Sequence, residues 1–98
     1  MNNVIELANR LNFSASDISG QRAVKVRGFP ENATVNEMIK GLVEKMGLTQ
    51  RDPAGREYTY QARLDRDGRH LNPSEIVGDV LREDDQIVLH PNIDAGHR

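Results

Sequence analysis

Between residues 13 and 64 the chain moves from one rhythm of apolar and polar positions to another and back again. In "FSASDISGQRAVKVRGFP", Phe13 and Ala15 alternate with serines, and Val24 and Val26 alternate with Lys25 and Arg27. Such alternation puts one side of an extended chain in the core and the other in water. Ser19-Gly20-Gln21 supplies a turn between the two runs. The stretch therefore predicts a β-hairpin, with Gly28 and Pro30 ending its second strand. The rhythm then changes in "ATVNEMIKGLVEKMGL". Val35, Met38, Ile39, Leu42, Val43 and Met46 fall at i, i+3, i+4, i+7, i+8 and i+11, one apolar stripe along a helix. Thr34 and Glu37 have capping-box spacing, and Gly47 suits the left-handed position past the last turn. Gly41 costs about 1 kcal/mol relative to alanine inside a helix. It is expected to let the helix approach a sheet closely.

Alternation returns after the turn-rich loop "RDPAGRE". "YTYQARL" predicts a strand with Tyr58, Tyr60, Ala62 and Leu64 on one face. "DRDGRHL" predicts a turn and a short extended piece ending at Leu71. "NPSEIVGDVLREDD" reads as an irregular connector carrying Ile76, Val77, Val80 and Leu81. In "QIVLHP", Ile87 and Leu89 face one way and Val88 and His90 the other, and Pro91 is expected to stop the strand. Residues 1–12 are less defined. Val4, Ile5, Leu7, Ala8 and Leu11 have helical spacing behind Asn3 as a possible cap, and a short helix or a flexible lead-in both fit. The order strand, strand, helix, strand, short strand, strand is that of an α+β β-grasp, a mixed sheet of about four to five strands wrapped around one main helix. The expected division is an N-terminal extension over 1–12, the domain over 13–91 and a flexible C-terminal tail over 92–98.

Composition narrows the chemistry. At 98 residues the chain makes one domain. It holds no cysteine, which rules out disulfides, thiolate zinc sites and a cysteine nucleophile, and fits a cytoplasmic setting. A formal net charge of -2 with mixed signs gives no basic footprint for nucleic acid. Apolar runs are far shorter than a membrane span, and no leader peptide is expected. Asp79, Glu83, Asp84 and Asp85 lack the alternating oxygen ligands of a calcium loop and read as a solvated turn. His70, His90 and His97 sit on separate elements without metal-ligand spacing. Ser14, Ser16, Ser19 and Ser74 lack a nucleophile-elbow context. No metal, cofactor or enzymatic activity is expected.

From about residue 13 to residue 96 the chain resembles ubiquitin and its small relatives. A Val-x-Val strand leads through a proline to "TVNEMI", which is similar to the opening of the ubiquitin helix. "DGRHL" resembles a matching turn, and "LREDDQIVLHPNIDAG" resembles the closing strand and tail, with Leu81, Ile87 and Leu89 at core positions. Ala95-Gly96 falls where ubiquitin has its terminal Gly-Gly. There are departures too. The Leu71–Leu81 connector is longer, His97-Arg98 follow the glycine, and the third strand presents Gln61 and Arg63 where ubiquitin's reading surface has an aliphatic centre. Ubiquitin's own readers are therefore not expected to bind. The basic residues are ten arginines and only three lysines, Lys25, Lys40 and Lys45, which do not follow ubiquitin's arrangement. The overall look is similar to bacterial ubiquitin-like proteins, some encoded beside conjugation enzymes in phage-defence operons and others accompanying secretion systems without conjugation.

The resemblance implies a modifier that is itself a substrate. Its terminal carboxylate would be adenylated by an ATP-using activating enzyme, passed to an enzyme nucleophile, and joined by a conjugating enzyme to target proteins. A processing peptidase would first cleave after Gly96, before His97. Asn92, Ile93, Asp94 and Ala95 would form the recognised tail. Glycine suits the terminal position because no Cβ obstructs the approach of backbone to nucleotide and nucleophile. Val88 and His90 are the expected partner surface on a monomer. The alternative is a non-covalent binding module of the same fold.

Overall fold

The computed structural model describes residues 10–92. Its elements are β1 (Arg10–Asp17), β2 (Ala23–Pro30), α1 (Val35–Met46), β3 (Thr59–Leu64), β4 (Arg69–His70), the short α2 (Val77–Val80) and β5 (Asp85–Asn92). The five strands form one mixed sheet in the order β2-β1-β5-β3-β4. β1 pairs antiparallel with β2 and parallel with β5, and β3 pairs antiparallel with both β5 and β4. This is the expected α+β β-grasp. One face of the sheet packs on α1, and the other is open to water.

The predicted helix forms over the predicted stripe. Val35, Met38, Ile39, Leu42, Val43 and Met46 are its buried residues. Thr34 Oγ1 accepts from the Glu37 N–H at 3.1 Å, and the Glu37 carboxylate accepts from the Thr34 N–H at 2.9 Å, completing the capping box. Gly47 sits at φ 67°, and its N–H closes the last turn onto Glu44 and Val43. The stripe meets Leu11, Phe13, Ala15, Ala62, Leu64, Ile87 and Leu89 from the sheet, with Leu71, Val77 and Leu81 sealing the far end. Gly41 differs from expectation. It lies on the exposed side of α1, where an added Cβ would meet nothing within 4 Å, so it serves no close approach to the sheet.

Three boundaries move for identifiable reasons. The extension does not run to residue 12, because β1 already starts at Arg10 and Leu11 is buried opposite Phe29. Gly28 does not end β2. The register steps between Leu11 and Phe13, Gly28 takes φ 68°, and its N–H donates to Asn12 Oδ1 at 2.9 Å. This is a bulge built on a left-handed glycine, and pairing resumes through Pro30. Pro91 does not end β5 either. The Asp65 N–H donates to the Gln86 carbonyl at 2.9 Å, which sets the ladder's phase and leaves Tyr60–Pro91 a non-hydrogen-bonded pair. The ring nitrogen of Pro91 therefore faces away from β3, on the side where β1 has already stopped at Asp17 opposite Leu89. No ladder bond is lost, and β5 continues to Asn92 opposite Thr59.

Candidate functional site

The tail and the outer face of β5 are the two places the sequence singles out. Of the tail, Asn92 belongs to the last pair of the sheet rather than to a free segment. Ile93, Asp94, Ala95, Gly96 and His97 lie outside the described residues.

On the outer face one row crosses the whole sheet. Ala23, Ser16, Val88, Arg63 and His70 lie side by side on β2, β1, β5, β3 and β4. Val88 is half-buried between Ser16 and Arg63. His90 lies one pair further along, opposite Gln61. Arg63 Nε donates to His90 Nε2 at 3.3 Å, and the His70 and His90 rings meet edge to face at 5.9 Å. Burial pushes the His90 imidazole below its ordinary pKa, and the positive charges of Arg63 and His70 push the same way. Only the neutral imidazole can accept at Nε2 from Arg63, and the lowered pKa favours that form. The predicted pair Val88 and His90 does share a surface, but that surface is centred on a guanidinium. It is a polar surface with an aliphatic patch at Val88.

Sequence reading passed over Ile18. It is 59% exposed, directly after Asp17, whose pair is Leu89 on β5. The turn around it is braced. Asp17 Oδ1 accepts from the Gly20 N–H at 2.9 Å and from Ser19 Oγ at 2.9 Å. The signal was a large aliphatic residue inside a serine- and glycine-rich turn, where nothing else requires one.

The other candidates have structural uses. Asp85 is not part of a solvated turn. It is 8% exposed and accepts from Arg66 Nε and Nη2, each at 3.1 Å, and from the Arg82 N–H at 2.8 Å. Glu83 accepts from Asn12 Nδ2 at 2.7 Å, and Asp84 takes the left-handed turn position at φ 67°. Ser19 and Ser74 donate to Asp17 and Asn72. Among the described residues, no group of three or more histidine, aspartate or glutamate side chains is placed to hold a metal ion. No helix among them is long and apolar enough to cross a membrane.

No protein-family model and no curated protein matches this chain. Solved structures do. A designed protein based on ubiquitin superposes with TM-score 0.66 at 17% identity, over 93% of this chain and 98% of that one. Ubiquitin of Caldiarchaeum subterraneum gives TM-score 0.63 at 17% identity, over 89% and 99%. A chain of the ESX-5 inner membrane complex gives 0.65 at 17% identity, over 92% of this chain but 23% of its own length. The fold is ubiquitin-like.

Proposed function

We propose that this chain is a bacterial protein modifier of the ubiquitin type, processed after Gly96 and conjugated through that glycine to target proteins. The supporting observation is the ubiquitin-like fold, in which β5, paired as far as Asn92 opposite Thr59, leads in the sequence toward Ala95-Gly96. Fully extended, the four residues from Ile93 to Gly96 would reach roughly 13–14 Å. That length can carry a carboxylate into an enzyme channel while the folded domain rests outside it.

The proposed steps run in order. A peptidase hydrolyses the Gly96–His97 bond, water supplying the new carboxylate and the new amine. The activating enzyme adenylates that carboxylate with ATP and releases pyrophosphate. An enzyme nucleophile displaces AMP, and a target amine or hydroxyl then displaces the enzyme. The protein's own residues supply the folded handle and the tail, and ATP belongs to the activating enzyme. A place in a phage-defence operon follows from the same reading.

The test is intact-mass analysis after co-expression with the enzymes encoded beside the gene. Loss of His97-Arg98, followed by adducts joined at Gly96, is the expected result. Retention of His97-Arg98 in every species would refute it. The second reading, a non-covalent module, is compatible with the likeness to part of a chain of the ESX-5 inner membrane complex. Gly96→Glu separates the two, since it abolishes a modifier and leaves a module working.

A further inference from the structure

We propose that His70 and His90 form a two-imidazole site for a borderline divalent metal ion of the zinc type, with the remaining coordination positions left to water or to a partner's side chain. The proposal holds whether or not the chain is conjugated. In the sequence the two histidines stand on separate elements without ligand spacing. The sheet removes that separation. His70 on β4 pairs with Arg63, His90 on β5 pairs with Gln61, and β3 runs between the two strands. Strands two places apart in a sheet have backbones roughly 9–10 Å apart. The ring centres are nevertheless only 5.9 Å apart, at an interplanar angle of 87°. Both rings thus lean inward over β3, like the jaws of a pincer.

A metal bound about 2.0–2.1 Å from one nitrogen of each imidazole holds the ring centres roughly 5–6 Å apart at tetrahedral or wider angles. The observed spacing falls in that range, so ring rotation rather than backbone movement completes the site. His90 already carries a lone pair at Nε2, since that atom accepts from Arg63 Nε at 3.3 Å. His70 is exposed, and its ring is free to turn. The donor set selects the ion. Paired imidazoles suit zinc, copper or nickel, whereas calcium and magnesium take oxygen ligands. Among the described residues no third histidine, aspartate or glutamate joins the pair, so a tetrahedral ion keeps two open positions on the outer face, beside Val88.

Arg63 is the competitor. Its guanidinium engages the His90 lone pair and sets a positive charge beside the site. A second partner is within reach, because Arg63 Nη1 lies 3.9 Å from Asp65 Oδ1. Metal entry therefore exchanges the Arg63–His90 bond for a closer Arg63–Asp65 pair. The exchange separates a metal site from two rings that only pack together. Removing Arg63 from a packed cluster loosens it, whereas removing it from a metal site frees a ligand and lifts a repulsion.

The probe is Zn²⁺ alone, titrated at neutral pH into the full chain carrying His97→Ala and followed by calorimetry and by NMR of the histidine rings. The change at His97 removes the tail imidazole, which lies outside the described residues. Saturable one-to-one binding is expected, with ring shifts at His70 and His90 and amide shifts at Gln61, Arg63 and Val88. His70→Ala and His90→Ala should each weaken it at least tenfold. Arg63→Ala should tighten it at least threefold, and Arg63→Met takes its place if the alanine variant unfolds by circular dichroism. The proposal is overturned by no saturation up to millimolar Zn²⁺, by affinity that survives either histidine change, or by shifts confined to residues near Met1. Weaker binding in the folded arginine variant would also overturn it, by showing that Arg63 holds the pair together instead of competing for it.

Discussion

Replacing Asp85, the one carboxylate on β5, with alanine should destabilise the fold strongly. The carboxylate is 8% exposed, and Arg66, whose side chain is 32% exposed, grips it with two nitrogens while also donating to the Val80 carbonyl at 3.3 Å. Arg66 therefore ties the turn after β3 to the end of α2 and the start of β5. Breaking a fully buried pair costs about 3–5 kcal/mol. Because the guanidinium is partly open to water and can rehydrate, about 2–3 kcal/mol is expected here, including the orphaned Arg82 N–H. For a domain of this size that lowers Tm by roughly 10–20 °C.

The pH dependence is the sharper test. Burial pulls the Asp85 carboxyl up, but the Arg66 hydrogen bonds, the Arg82 N–H and the charges of both arginines outweigh it and hold the pKa below the ordinary value. A depressed folded pKa contributes stability that is present above the unfolded value, about 3.9, and is lost as pH falls through the folded value. Urea titrations of the wild type and Asp85→Asn, followed by circular dichroism at pH 7 and pH 3, should show a gap that narrows at low pH. Asp17, Asp52 and Glu75, whose pKa values are also lowered, remain in both proteins and cancel in the difference. A gap below about 0.5 kcal/mol at pH 7, or one unchanged at pH 3, would refute the reasoning.

Gly41→Ala should stabilise the fold by about 1 kcal/mol in the same titration, since the position is exposed in mid-helix and a Cβ meets nothing. Gly78→Ala should cost about 1–3 kcal/mol, because its Cβ would lie 2.8 Å from Glu31 Cβ and 3.1 Å from the Glu31 carbonyl that its own N–H bonds. In NMR titrations His90 should ionise below the ordinary histidine value, and Arg63→Ala should move it upward by removing both the charge and part of the cover.

The parts of this fold that could be read in advance are those where one period runs unopposed. The α1 stripe and its caps form as expected, because six apolar positions, Thr34, Glu37 and Gly47 all specify the same helix. Leu11 is ambiguous in the sequence because it fits two rhythms at once. It closes a helical series from Val4, and it also opens the alternation Leu11, Phe13, Ala15 that the sheet selects. Gly28 and Pro91 read as stops because their effect depends on a neighbouring strand. One supplies a bulge, and the other falls where the ladder needs no donor. Arg66, 19 residues from Asp85, gives no local sign that it will convert an acidic turn residue into a buried one. Of the candidate site, the shared outward face of Val88 and His90 follows from alternation alone. Arg63, the centre of that face, enters only through cross-strand register.

The position of β5 sets the order in which this molecule can assemble. β1 with β2 makes one ribbon and β3 with β4 another, and among the described residues no strand pair joins the two except through β5. β5, which follows the other four in chain order, is thus the keystone. Phe13 meets Asp85 and Asp17 meets Leu89, so the central pairing closes loops of about 70 residues. Such distant closure brings folding toward milliseconds or slower, in contrast to the microseconds of helical bundles. A chain cut before Asp85 would leave β1 and β3 without their shared neighbour and should expose both to association with other copies.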